Sequence, residues 1–229
     1  MSRLAVIPAR AGSKGLPGKH LRRIGGEPMI VHTIRAALAA RSVDRVVVST
    51  NDAAVARVAR RAGAEVPFRR PDELAADDTP TEPVIAHAVA WAERDGMRVD
   101  VVVTLQPTSP LRDAGQIDAA VLLLDGASVR SVASVAALDL PSSVVGSLIG
   151  DRFAPLGDVH DPRRQVAHVA ARLTGGIYVT RRDLLAEGRL LDERPAALLV
   201  EPATAIDVDT EADLRAARLA WRRKNRGQR

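Results

Sequence analysis

Asp207 and Asp209 stand two apart in Ala205-Ile-Asp-Val-Asp-Thr210, and a loop near the other end of the chain carries Arg10, Lys14 and Lys19 among Gly12, Gly15 and Gly18. In extended backbone, residues i and i+2 point the same way, so both carboxylates can face one ion. Hard oxygen ligands held like this suit Mg²⁺, which takes one or two carboxylates and completes its shell with substrate phosphates. A plainer reading has Asp209 or Thr210 capping the helix that follows while Asp207 is solvated. In the loop, glycines let backbone N–H groups approach an anion, and three cations serve several phosphate oxygens. Together the two clusters predict a site for a magnesium-bound nucleoside triphosphate.

Two common phosphate loops are excluded. A Walker A loop needs Ser or Thr after its Gly-Lys pair and another Gly five residues before that Gly. Here His20 follows Gly18-Lys19, and position 13 is Ser. The glycines are spaced three apart, which also excludes the dinucleotide pattern G-x-G-x-x-G.

The elements that must position these groups follow a strand–helix rhythm. Leu4–Ile7 is an apolar run of strand length that breaks at Pro8 into the loop. A helix is predicted from Pro28 to Ala40, a buried strand over Val46–Thr50, and a helix over 53–62 capped by Asn51-Asp52 and ended by Gly63. Val66-Pro-Phe68 reads as an edge or connecting segment, and Arg69 to Thr81 as a long polar stretch. Val84–Glu93 is helical in pattern, Val101–Leu105 a third strand, 113–125 a helix and Ser128–Val135 a further β-like run. This alternation implies an α/β fold, a Rossmann-like, mostly parallel sheet with helices on both faces. Ligands in such sheets bind at the carboxyl ends of the strands, where loops 8–20, 49–52 and 106–112 lie. Residues 136–172 break the rhythm with three prolines and a turn signal at Gly150-Asp151, and read as an excursion from the sheet, an oligomer arm. Strands around Gly175–Thr180 and Ala197–Glu201 and a helix over 211–222 complete one domain, 1–221.

Composition narrows the function classes. At 229 residues the chain can bury a sizeable core, which must be aliphatic because aromatics are only 2%. That scarcity disfavours a base-stacking nucleic-acid surface. Five of the 33 basic residues lie in the last eight positions, leaving 28 against 28 acidic residues in the body. The net charge of +5 is thus a property of the end 222–229, expected to be a frayed, solvated tail. No apolar run approaches a membrane span, and the N-terminus runs straight into a strand rather than a signal peptide. With no cysteine there is no disulfide framework, and together these point to the cytoplasm. The histidines His20, His32, His87, His160 and His168 lack ligand spacing; His32 and His87 fall on predicted helices as packing or surface residues.

Beyond its chemistry, Ile7-Pro-Ala-Arg10 through Lys19-His-Leu21 resembles the signature of CMP-sialic acid synthetases (acylneuraminate cytidylyltransferases). Leu105-Gln-Pro-Thr-Ser-Pro-Leu-Arg112, the base-recognition stretch with Arg70 and Thr81, and Ile206–Leu214 match the same family in the same order, so the likeness spans residues 4 to about 219. The resemblance implies cytidylyl transfer from CTP to a 2-keto sugar acid, with Mg²⁺ as cofactor. It implies that Arg10, Ala11, Gly12, Ser13, Lys14, Lys19, His20, Arg70 and Thr81 bind the nucleotide. Gln106, Thr108, Ser109, Arg164, Arg172, Thr174 and Tyr178 would bind the acidic acceptor, and Asp207 and Asp209 the metal. Arg10, Lys19, Gln106 and Asp209 would be catalytic, with Asp209 the base. It further implies a homodimer whose arm 136–172 completes the neighbouring pocket, with neither nucleic acid nor membrane as partner.

Departures cluster on the acceptor side. Thr174 stands where the family has Asn, Ser143 where it has Lys, and Leu190 and Leu191 where some members have two Phe; His20 replaces an Asn near the nucleotide. CTP use is therefore the firmer expectation. Transfer to a different acid such as Kdo or a phosphonate, and a sugar-nucleotide binder without catalysis, are the alternatives.

Overall fold

All five residues of Val101–Leu105, four of them apolar and one Thr104, are buried, as a strand covered on both faces requires. A computed structural model describes residues 1–12, 15–157 and 169–226. In chain order its elements are β1 (Arg3–Pro8), β2 (Arg23–Ile24), β3 (Glu27–Pro28), α1 (Met29–Ala39), β4 (Arg45–Ser49), α2 (Ala53–Arg61), α3 (Thr81–Arg94), β5 (Val101–Leu105) and α4 (Ala114–Gly126). Then follow β6 (Ser131–Pro141), β7 (Gly146–Ile149), β8 (Arg152–Pro155), β9 (Val169–Arg181), α5 (Arg182–Ala186), β10 (Ala196–Leu199) and α6 (Glu211–Arg226).

The main sheet has the order β10-β6-β9-β5-β1-β4. Ladders β1/β4, β1/β5 and β10/β6 are parallel, whereas β9 runs antiparallel to both β5 and β6. The expected parallel sheet is thus interrupted by one reversed strand inserted at its middle. Alternate residues of β1 serve the two faces: Ala5 and Ile7 join α1, α2 and α4 in one core, Leu4 and Val6 join α3 and Leu185 of α5 in the other.

Local signals act as the sequence suggests. Asp52 caps α2 by accepting from the Ala54 and Val55 N–H groups, and Asp113 and Gln116 form a capping box on α4. Val48 N–H donates to Glu65 O and Glu65 N–H to Val46 O, so the segment just before Val66 extends the sheet edge.

Two expectations change. The excursion starts later than 136, because Ala136 and Ala137 still pair with Arg172 and Ala171 in the β6/β9 ladder. Beyond it stands the β7/β8 hairpin, turning at Gly150-Asp151. The basic end is not frayed over 222–226. There α6 continues, and Lys224 Nζ donates to Leu111 O at 3.2 Å and to Asp113 Oδ2 at 3.1 Å. Residues 227–229 lie outside the described residues.

Candidate active site

A third, small core brings the ends of the chain together. Leu16 of the glycine loop packs with Ile24, Met29, Val208, Leu214 and Ala217, all buried. Each of the larger side chains, Ala217 aside, contributes about 1.5–3 kcal/mol when withdrawn from water. Val208 lies inward, and its N–H donates to Thr108 O at 2.8 Å, while its neighbours Asp207 and Asp209 project the other way. Lys19 Nζ donates to Asp209 Oδ1 at 2.8 Å. The approach is close enough that a Cβ on Gly15 would sit 2.7 Å from the Asp209 carbonyl oxygen, so that position has no room for a side chain.

The loop rests on the end of β4. Ala11 N–H donates to Asn51 Oδ1 at 2.8 Å, and Arg10 pairs with Asp77. Arg10, Lys19, His20, Arg70, Thr79, Thr81, Gln106, Thr108 and Asp209 line a cleft of about 260 Å³ beyond the carboxyl ends of β1 and β5. Arg70 is buried at its floor, with Nη2 donating to Ser49 O at 2.6 Å and Nε to Ser49 Oγ at 3.1 Å. Burial, then the charge of Arg10, pushes its pKa down to about 10. His20 is only 7% exposed, and its Nδ1 is buried without a hydrogen-bond partner. Burial, then the cations Lys19 and Arg70, pushes its pKa down to about 4, so the ring is neutral at neutral pH.

A second compartment of about 340 Å³ shares Thr81 and Gln106 with the first and adds Glu82, Tyr178, Gly188, Arg189, Leu190 and Leu191. Of the acidic pair, Asp207 comes near Tyr178 of this lining. A Cβ on Gly175 would lie 3.7 Å from Asp207 Oδ2 and 4.0 Å from the Tyr178 hydroxyl. Desolvation raises the Tyr178 phenol, and the charges of Asp207 and Glu82 raise it further. Asp207 is itself raised by desolvation, a shift opposed by a hydrogen bond from Thr108 and by the charges of Lys19 and Arg112.

Sequence and structure agree unevenly on site membership. Arg10, Lys19, His20, Arg70, Thr81, Gln106, Thr108 and Asp209 line the first cleft, Tyr178 the second. Ala11 is engaged by Asn51 through its backbone. Arg172 turns away, donating from Nη2 to Ala205 O at 2.7 Å, where it braces the segment leading to Asp207. Thr174 is buried with its hydroxyl 2.6 Å from that of Ser134, and Ser109 is buried with an unpartnered Oγ; neither lines a compartment. Ser13, Lys14 and Arg164, with His160 and His168, lie outside the described residues. His32 hydrogen-bonds Ile24 O at 2.8 Å and His87 packs edge-on to Phe68, both in packing roles. Missed by sequence reading were Asn51 as the loop's brace, Glu82 and Arg189. Only Asn51 carried a signal, since it ends a strand at the ligand-binding edge.

A basic cleft at the carboxyl ends of parallel strands, faced by an acidic doublet and opening into a second chamber, defines a nucleotide-binding α/β protein of the transferase type. The chain belongs to the cytidylyltransferase family, whose model matches residues 4–147. It is 34% identical to the CMP-N,N'-diacetyllegionaminic acid synthase of Legionella pneumophila over 92% of either chain. With the N-acylneuraminate cytidylyltransferase of Escherichia coli it is 28% identical over 97% of its length, and it spans 53% of that relative. A solved structure of CMP:2-keto-3-deoxy-manno-octonic acid synthetase, complexed with CTP, shares the fold: TM-score 0.72 at 22% identity, covering 98% of this chain and all of that one.

Proposed function

We propose that this protein transfers the cytidylyl group of CTP to a nonulosonate, a 2-keto sugar acid of the sialic or legionaminic type, releasing pyrophosphate. The anomeric hydroxyl attacks the α-phosphorus, its bond to the bridging oxygen breaks, and the hydroxyl proton passes to a base. The observation that carries this reading is the pair of chambers joined at Gln106 and Thr81, one edged by Lys19 and Asp209 and the other by Tyr178. Similarity to the legionaminate-activating relative over nearly its whole length supports the acceptor class.

Arg10 and Lys19, with Lys14, bind the triphosphate; Arg70, Thr81 and His20 surround the base. Gln106 orients the acceptor at the boundary between chambers, and Asp209 takes the proton through water. Such transfers need positioning and charge neutralisation more than covalent help. The donor chemistry fits magnesium, since Asp207 and Asp209 offer hard carboxylate oxygens. Bound there, the ion supplies positive charge to the phosphates and the departing pyrophosphate.

The arm supports a homodimer. Leu148, Ile149, Phe153 and Leu156 are 55–76% exposed, an apolar surface that a second chain would cover. The cytoplasm is the proposed setting, consistent with a chain lacking cysteine; no described helix is long and apolar enough to cross a membrane.

Pyrophosphate release from CTP, UTP or ATP with a panel of nonulosonates and Kdo is the test. Turnover with CTP and a nonulosonate is expected; turnover with Kdo alone would reassign the acceptor, and none with CTP would overturn the reading.

A further inference from the structure

Among the described residues, the second chamber's lining holds one cation, Arg189, and the fold fixes its backbone from both sides. α5 ends in a Schellman motif, with Gly188 at φ +76°. Gly188 N–H donates to Leu185 O at 2.9 Å and Arg189 N–H to Leu184 O at 3.3 Å. One residue further, the Thr180 hydroxyl donates to Leu190 O at 2.7 Å. The backbone of Arg189 is thus clamped while its side chain borders the chamber. Among the described residues its guanidinium makes no hydrogen bond or ion pair. The nearby Glu187 carboxylate is already gripped by Arg130, whose Nη2 donates to Glu187 Oε2 at 3.2 Å.

The remaining lining is chemically sorted. Glu82 supplies a carboxylate, Gln106 an amide, Tyr178 a phenol, and Leu190 and Leu191 an apolar patch. An anionic group entering this space is repelled by Glu82 and attracted by Arg189, and guanidinium matches a carboxylate with two parallel hydrogen bonds. Arg172, by contrast, is engaged with Ala205 O.

We propose that Arg189 is the in-chain anchor for the acceptor's carboxylate. Glu82 then accepts from a hydroxyl or N–H of the same acid. This assignment rests on the acceptor reading above.

The test compares wild type with Arg189→Gln and Arg189→Lys at saturating CTP, using a nonulosonate and its carboxamide. Arg189 is exposed, so neither change threatens folding. Arg189→Gln is expected to raise the KM for the acid by at least about tenfold, leave the KM for CTP within about twofold, and lose the wild-type preference for acid over amide; Arg189→Lys recovers part of it. Wild-type kinetics in Arg189→Gln, or equal losses for CTP and acid, would overturn the anchor alone. A wild type that releases no pyrophosphate with any nonulosonate overturns the acceptor reading and the anchor with it.

Discussion

Lys19 and Asp209, 190 positions apart in the chain, meet at 2.8 Å on the lining of the basic cleft. The Lys19 side chain is largely covered but the Asp209 carboxylate is 64% exposed, so solvent screens the pair and it is not a major source of stability. Its meaning is positional. Leu16 and Val208, buried in one small core, hold the basic loop and the acidic doublet together, and the charged groups follow.

Asn51 supports that loop from β4 through one hydrogen bond to the Ala11 N–H. Asn51→Ala leaves this donor without its partner and is expected to cost about 1 kcal/mol of stability. The KM for CTP should rise several-fold while the KM for the acceptor stays near wild type. Steady-state kinetics with each substrate varied in turn checks this.

His20 makes stability depend on pH. Its folded pKa of about 4 lies below the ordinary value of 6.5, so between those values the unfolded chain binds more protons than the folded one. Stability is full above about pH 6.5 and falls as pH drops towards 4, by about 3 kcal/mol at most from this group. In His20→Asn that part of the acid loss should vanish, which thermal melts across pH 4–7 would show as a shallower fall in Tm.

Arg112 presents the opposite of a stabilising charge. It is 7% exposed, Nη2 donates to Gln106 O, and Nε and Nη1 are buried without partners. Burial pushes its pKa down to about 9, partly offset by Asp207. Arg112→Met removes a buried cation that Asp207 and the Gln106 carbonyl offset only in part, so Tm should hold or rise, by up to about 2 kcal/mol of stability. Turnover should nevertheless fall about tenfold or more, because the Gln106 backbone loses its brace at the junction of the chambers. Melting and kcat measured on one preparation decide it.

Exposed apolar residues of the β7/β8 hairpin give the arm a testable role. Phe153→Asp with Leu148→Asp should convert a dimer to a monomer in sedimentation velocity, with little change in Tm, since neither side chain belongs to a buried core.

The legible parts of the fold were those encoded locally. Val46–Thr50 and Val101–Leu105 announce buried strands by three successive valines each, and Asp52 and Gly63 bracket a helix that forms where expected. The insertion of β9 between β5 and β6 was not legible, because strand order depends on pairings far apart in sequence. Arg172 and Thr174 show a related limit. The β6/β9 register slips between Ala133, paired with Tyr178, and Val135, paired with Leu173. Across such a bulge the two-residue alternation breaks, so side-chain direction cannot be carried from Tyr178 back to Arg172. Arg189 and Glu82 belong to no motif, and only the folded chamber brings them together. The basic run around Lys224 reads as a tail by composition, whereas α6 continues through it, with Asn225 Nδ2 donating to Trp221 O.

Pyrophosphate release by Asp209→Asn, with CTP, a nonulosonate acceptor and magnesium varied, tests most directly whether loop and doublet work on one nucleotide. A fall of at least about a hundredfold in kcat, with the thermal melt unchanged, is the expected result. Turnover at the wild-type rate with an unaltered magnesium requirement would contradict it.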